Sequence, residues 1–151
     1  MRKILFLIMM MVVTITAISQ RSIKGYELGE KYKADDYKET TVFGSEATVG
    51  TLLLKDGRAY TIIAVFEDDE KSDVFIIKDR IETVFNISLK KVDLVNNKYN
   101  VDRYRYEAVK DGVIYFLYVE DNTTFDRFTI IMGMTDVNLD KEHNKEIEND
   151  I

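Results

Sequence analysis

The sequence predicts an α+β domain that is mainly antiparallel β, with about seven strands in two meanders and one short helix near residues 88–99. Three observations carry this reading. Two Asp-Gly dipeptides, Asp56-Gly57 and Asp111-Gly112, each stand between runs rich in β-branched and aromatic residues, the pattern of a tight hairpin. The chain has no cysteine, so its core is held by packing alone and not by disulfides. Removing a leader of residues 1–19 from the 151 leaves 132, which is one domain able to bury roughly two-thirds of its unfolded surface.

The leader comes first in the chain. Met1-Arg2-Lys3 is followed by ten uncharged apolar residues, Ile4 to Val13, and then by Ala17-Ile18-Ser19. A basic start, an apolar centre and a small-residue site make up a secretory signal peptide. The apolar run is short of the roughly 20 residues of helix that cross a bilayer. Cleavage after Ser19 is expected; the alternative is an uncleaved anchor extended by Thr14 to Ile18. No cysteine follows the apolar run, which excludes a lipid anchor on cysteine. An exported chain without disulfides suits a bacterial periplasm, cell surface or secreted product.

Residues 20–40 are polar and read as an irregular lead-in with one turn of helix near Tyr32–Tyr37. The first hairpin joins Ala47–Lys55 to Arg58–Phe66 through Asp56-Gly57. A two-residue type I′ turn would pair Leu53 with Tyr60, Thr51 with Ile62 and Val49 with Ala64. Both faces of this hairpin are largely apolar, so cover on both sides is expected. Val74–Ile77 and Arg80–Ile87 read as short strands. Ser88 is a candidate N-cap, with Leu89, Val92, Val95 and Tyr99 along one side of a helix.

The second hairpin joins Asp102–Lys110 to Val113–Val119 through Asp111-Gly112. Tyr104, Tyr106 and Ala108 would face Val119, Leu117 and Tyr115 toward the core, with Arg105 opposite Tyr118 and Glu107 opposite Phe116 on the other side. Arg127–Met134 is a further strand. Residues 20–137 form the domain, and the charged segment 138–151 reads as a flexible tail. The two halves echo each other: Lys55-Asp56-Gly57, Tyr60, Phe75 and Ile77 recur as Lys110-Asp111-Gly112, Tyr115, Phe128 and Ile130. Shared turn chemistry accounts for most of that echo.

Charge and motifs exclude several functions. The chain carries 21 basic and 27 acidic residues, and losing Arg2 and Lys3 takes the net charge from −6 to −8. Such a surface repels nucleic acid and anionic headgroups. No Gly-x-Ser-x-Gly, phosphate-binding Gly-x-x-x-x-Gly-Lys or dinucleotide Gly-x-Gly-x-x-Gly occurs. The only histidine, His143, has no second ligand type beside it, so no metal or cofactor is expected. The acidic run Glu67-Asp68-Asp69-Glu70 lacks the glycine and alternation of a calcium loop and reads as a solvated turn.

The expected function is a small exported, non-catalytic binding protein whose partner is a protein or small ligand of the cell envelope or medium. Arg103, Arg105 and Tyr118 are the candidate binding residues, because they fall on the outward side of the second hairpin. Two alternatives have distinct signatures. A small β-barrel carrier of an apolar ligand needs an internal cavity of about 300–1,000 Å³. A carboxylate-based hydrolase needs two acids with oppositely shifted pKa values in one cleft.

Overall fold

The computed structural model describes residues 21–66, 73–92, 101–122 and 127–149. The expected signal peptide, the acidic run 67–70 and residues 93–99 of the expected helix lie outside them. A ribbon of two short strands, β1 (Ser22–Ile23) and β2 (Tyr26–Glu27), precedes a seven-stranded antiparallel sheet. The strands of that sheet are β3 (Tyr37–Val42), β4 (Ser45–Leu53), β5 (Ala59–Phe66), β6 (Lys90–Val92), β7 (Val101–Lys110), β8 (Val113–Asn122) and β9 (Arg127–Asp136). Helix α1 (Asp73–Phe85) lies between β5 and β6, and helix α2 (Val137–Glu148) follows β9.

The spatial order is β3-β4-β5-β9-β8-β7-β6. The two meanders therefore meet where β9 pairs with β5, and β9 is the middle strand of seven. Helix α1 carries the chain from β5 to the far edge. Among the described residues the edges β3 and β6 do not pair, so this sheet is open.

The fold class agrees with the sequence reading, but four of its elements are corrected. A helix stands at Asp73–Phe85, in place of the two strands expected at 74–77 and 80–87, and the described part of the expected helix, residues 88–92, is not helical. Its buried residues are Val74, Ile77, Ile81 and Phe85, spaced by three, four and four, which is one stripe of a helix. Lys78 Nζ reaches Glu82 Oε1 one turn on, at 2.7 Å. Asn86 then takes a left-handed conformation (φ 50°) and the Ile87 amide donates back to the Glu82 carbonyl, closing the helix. β-Branched content alone suggested strand here; the longer 3.6-residue period wins.

Residues 90–92, placed in the expected helix, instead pair with Arg105–Glu107 as β6. The lead-in holds a strand, β3, entered after the polar turn at Lys33–Asp36 and joined to β4 by Phe43-Gly44, both left-handed (φ 55° and 88°). Finally, the charged tail is helical from Val137 to Glu148. Its N-cap is Asp136, whose Oδ1 accepts the amides of Asn138 (2.8 Å) and Leu139 (3.0 Å). No residue of α2 is buried. Caps and ion pairs, not an apolar stripe, hold it, which is why composition alone suggested a loose end.

The core lies between α1 and one face of the sheet. Val49, Ile62, Ala64, Leu117, Val119, Ile130 and Met134 are fully buried there, each contributing roughly 1.5–3 kcal/mol for the larger side chains. Phe85 of α1 meets Tyr115 of β8 with ring centroids 4.9 Å apart. Ile23, Tyr26 and Leu28 close the same cluster from the N-terminal ribbon.

Candidate functional site

Alternation along each strand sends every second residue to the face opposite α1, and the register shows which residues share it. One row runs across all seven strands as Glu39, Thr48, Val65, Ile131, Tyr118, Arg105 and Val92. The next row runs Tyr37, Gly50, Ile63, Gly133, Phe116, Glu107 and Lys90. A third holds Leu52, Thr61, Thr135, Ile114 and Val109. Glu46 and Thr41 on one side, and Glu120 and Arg103 on the other, continue the pattern past the first row.

Among the described strands, the large apolar residues with high exposure are Tyr37 (66 %), Leu52 (43 %), Val92 (39 %) and Val109 (67 %). All four belong to this face. One side of the sheet is thus closed by α1 and the N-terminal ribbon; on the other, exposed apolar residues stand on the outer strands β3, β4, β6 and β7, around half-buried Ile63, Val65 and Ile131. The expected cover on both sides of the first hairpin is therefore not observed, since Leu52 stands open.

The three residues singled out from sequence come together here. Arg105 is the cross-strand partner of Tyr118. Arg103 Nε (3.1 Å) and the Tyr118 hydroxyl (2.9 Å) both donate to Glu120 Oε2. Burial raises the Tyr118 hydroxyl pKa, and its hydrogen bond to Glu120 raises it further. The Arg105 guanidinium lies 4.3 Å from the centre of the Phe116 ring and beside Glu107. Phe116 in turn lies over Gly133: a Cβ at that position would come within 2.4 Å of the Phe116 ring and 2.8 Å of the Ile62 carbonyl oxygen. Arg103 is exposed, whereas Arg105 and Tyr118 are half-buried.

The sequence reading missed Tyr37, Glu39, Glu46, Leu52, Val92 and Val109. The first two lie on β3, whose only turn signal is a phenylalanine-glycine pair. Val92 was assigned to a helix. Leu52 and Val109 alternate correctly in their strands, and the error lay in assuming a second cover.

Other chemistry lies away from this face. Asp136 is held below the usual carboxylate range: burial pushes it up, but the Leu139 amide, the Arg21 guanidinium and the Asn138 amide outweigh that. Glu82 is likewise lowered, with burial opposed by Lys78 and the Leu89 amide. Asp56 is lowered by the Arg58 amide and guanidinium. Among the described residues these lowered carboxylates belong to caps and ion pairs. His143 stacks on Tyr60, ring centroids 4.3 Å apart, with its Nδ1 enclosed and without a hydrogen-bond partner. One open hollow runs along Lys31–Asp36, and another, between Glu39–Thr41 and Glu46–Ala47, borders the open face at its β3–β4 side. No helix among the described residues is long and apolar enough to cross a membrane. Comparison with protein-family models, curated proteins and solved structures finds no match to this chain.

Proposed function

We propose that this chain is an exported, non-catalytic binding protein of the bacterial envelope or medium, and that it docks its partner on the open face of the sheet. One observation carries the reading: Tyr37, Leu52, Val92 and Val109 all lie on the face away from α1. Exposed apolar residues gathered on one face of a sheet and bordered by charge fit an interaction site. Arg103, Arg105 and Tyr118 form part of the rim, and arginine and tyrosine are the residue types that anchor interfaces.

The test is affinity capture with the mature chain, residues 20–151, from native envelope and medium, run beside a Leu52→Asp/Val109→Asp double variant. Both positions are exposed, so the variant keeps its core. A protein retained by the wild type and absent from the variant is the expected result. Identical eluates, together with identical self-association of the two proteins, would overturn the proposal.

A further inference from the structure

We infer that the occupant of the open face is a second copy of this chain, docked face to face about a two-fold axis parallel to β9. The inference rests on the proposal that this face is a docking surface, and it names the partner.

The argument starts from the distribution of charge. At the β3–β4 side of the face stand Glu39 and Glu46, both exposed and neither in an ion pair among the described residues. At the β6–β7 side stand Lys90, Arg103 and Arg105 with Glu107. Glu120 adds one more acid next to Arg103. One lateral pole is therefore acidic and the other is net basic, with Val65, Ile63, Ile131 and Phe116 between them.

A two-fold axis along the strands inverts left and right but keeps each row level with itself. Because β9 is the fourth of seven strands, the axis passes through it and every row becomes self-complementary. Ile131 meets Ile131 of the other copy. Val65 faces Tyr118, and Ile63 faces Phe116. Tyr37 faces Lys90, Glu46 faces Arg103, and Glu39 falls beside Arg105. This is an isologous contact, in which one patch serves both copies. The alternative two-fold, along the rows, lays the acidic β3–β4 side over the same side of the other copy and is opposed by like charge. Helix α2 stays at the far end, tied to Lys55, Arg58 and Tyr60.

The area is sufficient. Seven strands about 4.8 Å apart and three rows together about 20 Å tall offer about 600 Å² per copy. The pair would bury about 1,200 Å², the lower bound of a standard interface. Aligned sheets packed in this way form a β-sandwich with one layer from each copy.

Sedimentation across a micromolar-to-millimolar series tests the inference on the protein as exported. The mass should double with concentration. Glu46→Lys or Arg103→Glu alone should weaken association about tenfold, and the two together should restore it. Both residues are exposed, and because Arg103→Glu also stands opposite Glu120, thermal unfolding of each variant is read beside the sedimentation. The chain has no cysteine, so Ile131→Cys provides a single thiol at the axis. It should give a covalent dimer with a short bis-maleimide, whereas Val84→Cys on the outer side of α1 should not. A monomer at every concentration, or equal cross-linking at both positions, overturns the inference. A monomer that still captures another protein, with capture lost in the Leu52→Asp/Val109→Asp variant, removes the second copy but keeps the docking surface. Loss of both results removes both.

Discussion

The Asp56-Gly57 and Asp111-Gly112 hairpins share a dipeptide, a preceding lysine and a tyrosine three residues after the glycine, yet they fold into different turns. In the second, Asp111 and Gly112 are both left-handed (φ 51° and 74°), and pairing runs unbroken from Lys110↔Val113 to Val101↔Asn122. That is a type I′ turn. In the first, only Gly57 is left-handed (φ 87°). The Gly57 amide donates to the Leu54 carbonyl and the Leu54 amide donates to the Arg58 carbonyl, both at 2.9 Å. Those bonds define a type I turn followed by a left-handed glycine.

The difference is imposed by neighbours. The Tyr32 amide donates to the Gly57 carbonyl, Lys31 bridges Arg58, and Glu30 and Gly29 exchange hydrogen bonds with Ala59. The segment after β2 thus claims the backbone groups that an uninterrupted β4–β5 ladder would use. The register shifts at Leu52/Leu53, so Leu53 pairs with Ala59 instead of Tyr60. A turn dipeptide supplies a set of allowed conformations, and tertiary hydrogen bonds choose among them.

The bulge also separates the two tyrosines, which gives the largest expected contrast. Tyr115 is fully buried against Phe85, so Tyr115→Ala should destabilise the fold by about 3–5 kcal/mol. Tyr60 is half-buried and stacks on His143, so Tyr60→Ala should cost only about 1–2 kcal/mol, in line with its smaller burial. Urea denaturation of both variants measures the gap. Equal losses would mean that the hairpins are equivalent in packing after all.

A smaller contrast probes the turns themselves. Proline cannot adopt the positive φ of Asp111, so Asp111→Pro should cost about 3 kcal/mol or more and disrupt the β7–β8 register. Lys55 occupies the second position of a type I turn, where proline is favoured. Lys55→Pro removes the amide bond to Glu146 Oε2 but keeps the turn, and should change stability by less than about 1 kcal/mol. If Lys55→Pro is as damaging as Asp111→Pro, the first turn is also type I′ in solution.

The pairing of the second hairpin was legible residue by residue, because nothing else competes for its backbone. Thr51↔Ile62 and Val49↔Ala64 were legible in the first, up to the bulge. The echo beyond the hairpins misled. Phe75 is 69 % exposed on a helix, whereas its counterpart Phe128 is a half-buried strand residue packed on the core. The residues that decide are their neighbours: Ile77, Ile81 and Phe85 repeat at helical spacing, but Ile130, Met132 and Met134 repeat by two. Arg103, Arg105 and Tyr118 were found because strand alternation is local. That their face is open depends on where α1 lies, which no local pattern reveals.

Helix α2 is where the two turns become coupled, and it offers the finest test. The Val137 amide donates to the Gly112 carbonyl of the second turn. At its other end Glu142 pairs with Arg58 and Glu146 accepts the Lys55 amide, both at the first turn. The helix starts at Asp136, which is also ion-paired to Arg21. Because the folded carboxyl titrates below its ordinary range, its stabilisation is present above the unfolded value and is lost as pH falls through the folded one. Acidification below the carboxylate range should therefore release α2 before the sheet. Hydrogen exchange should show faster amides at Asn138 and Leu139, then loosening at Lys55–Arg58. The β7–β8 ladder should stay protected, because Asp111-Gly112 makes its turn without the helix. Asp136→Ala at neutral pH should reproduce the pattern at a cost of about 1 kcal/mol. If both turns loosen together, the second depends on α2 as much as the first, and its independence from tertiary contacts is lost.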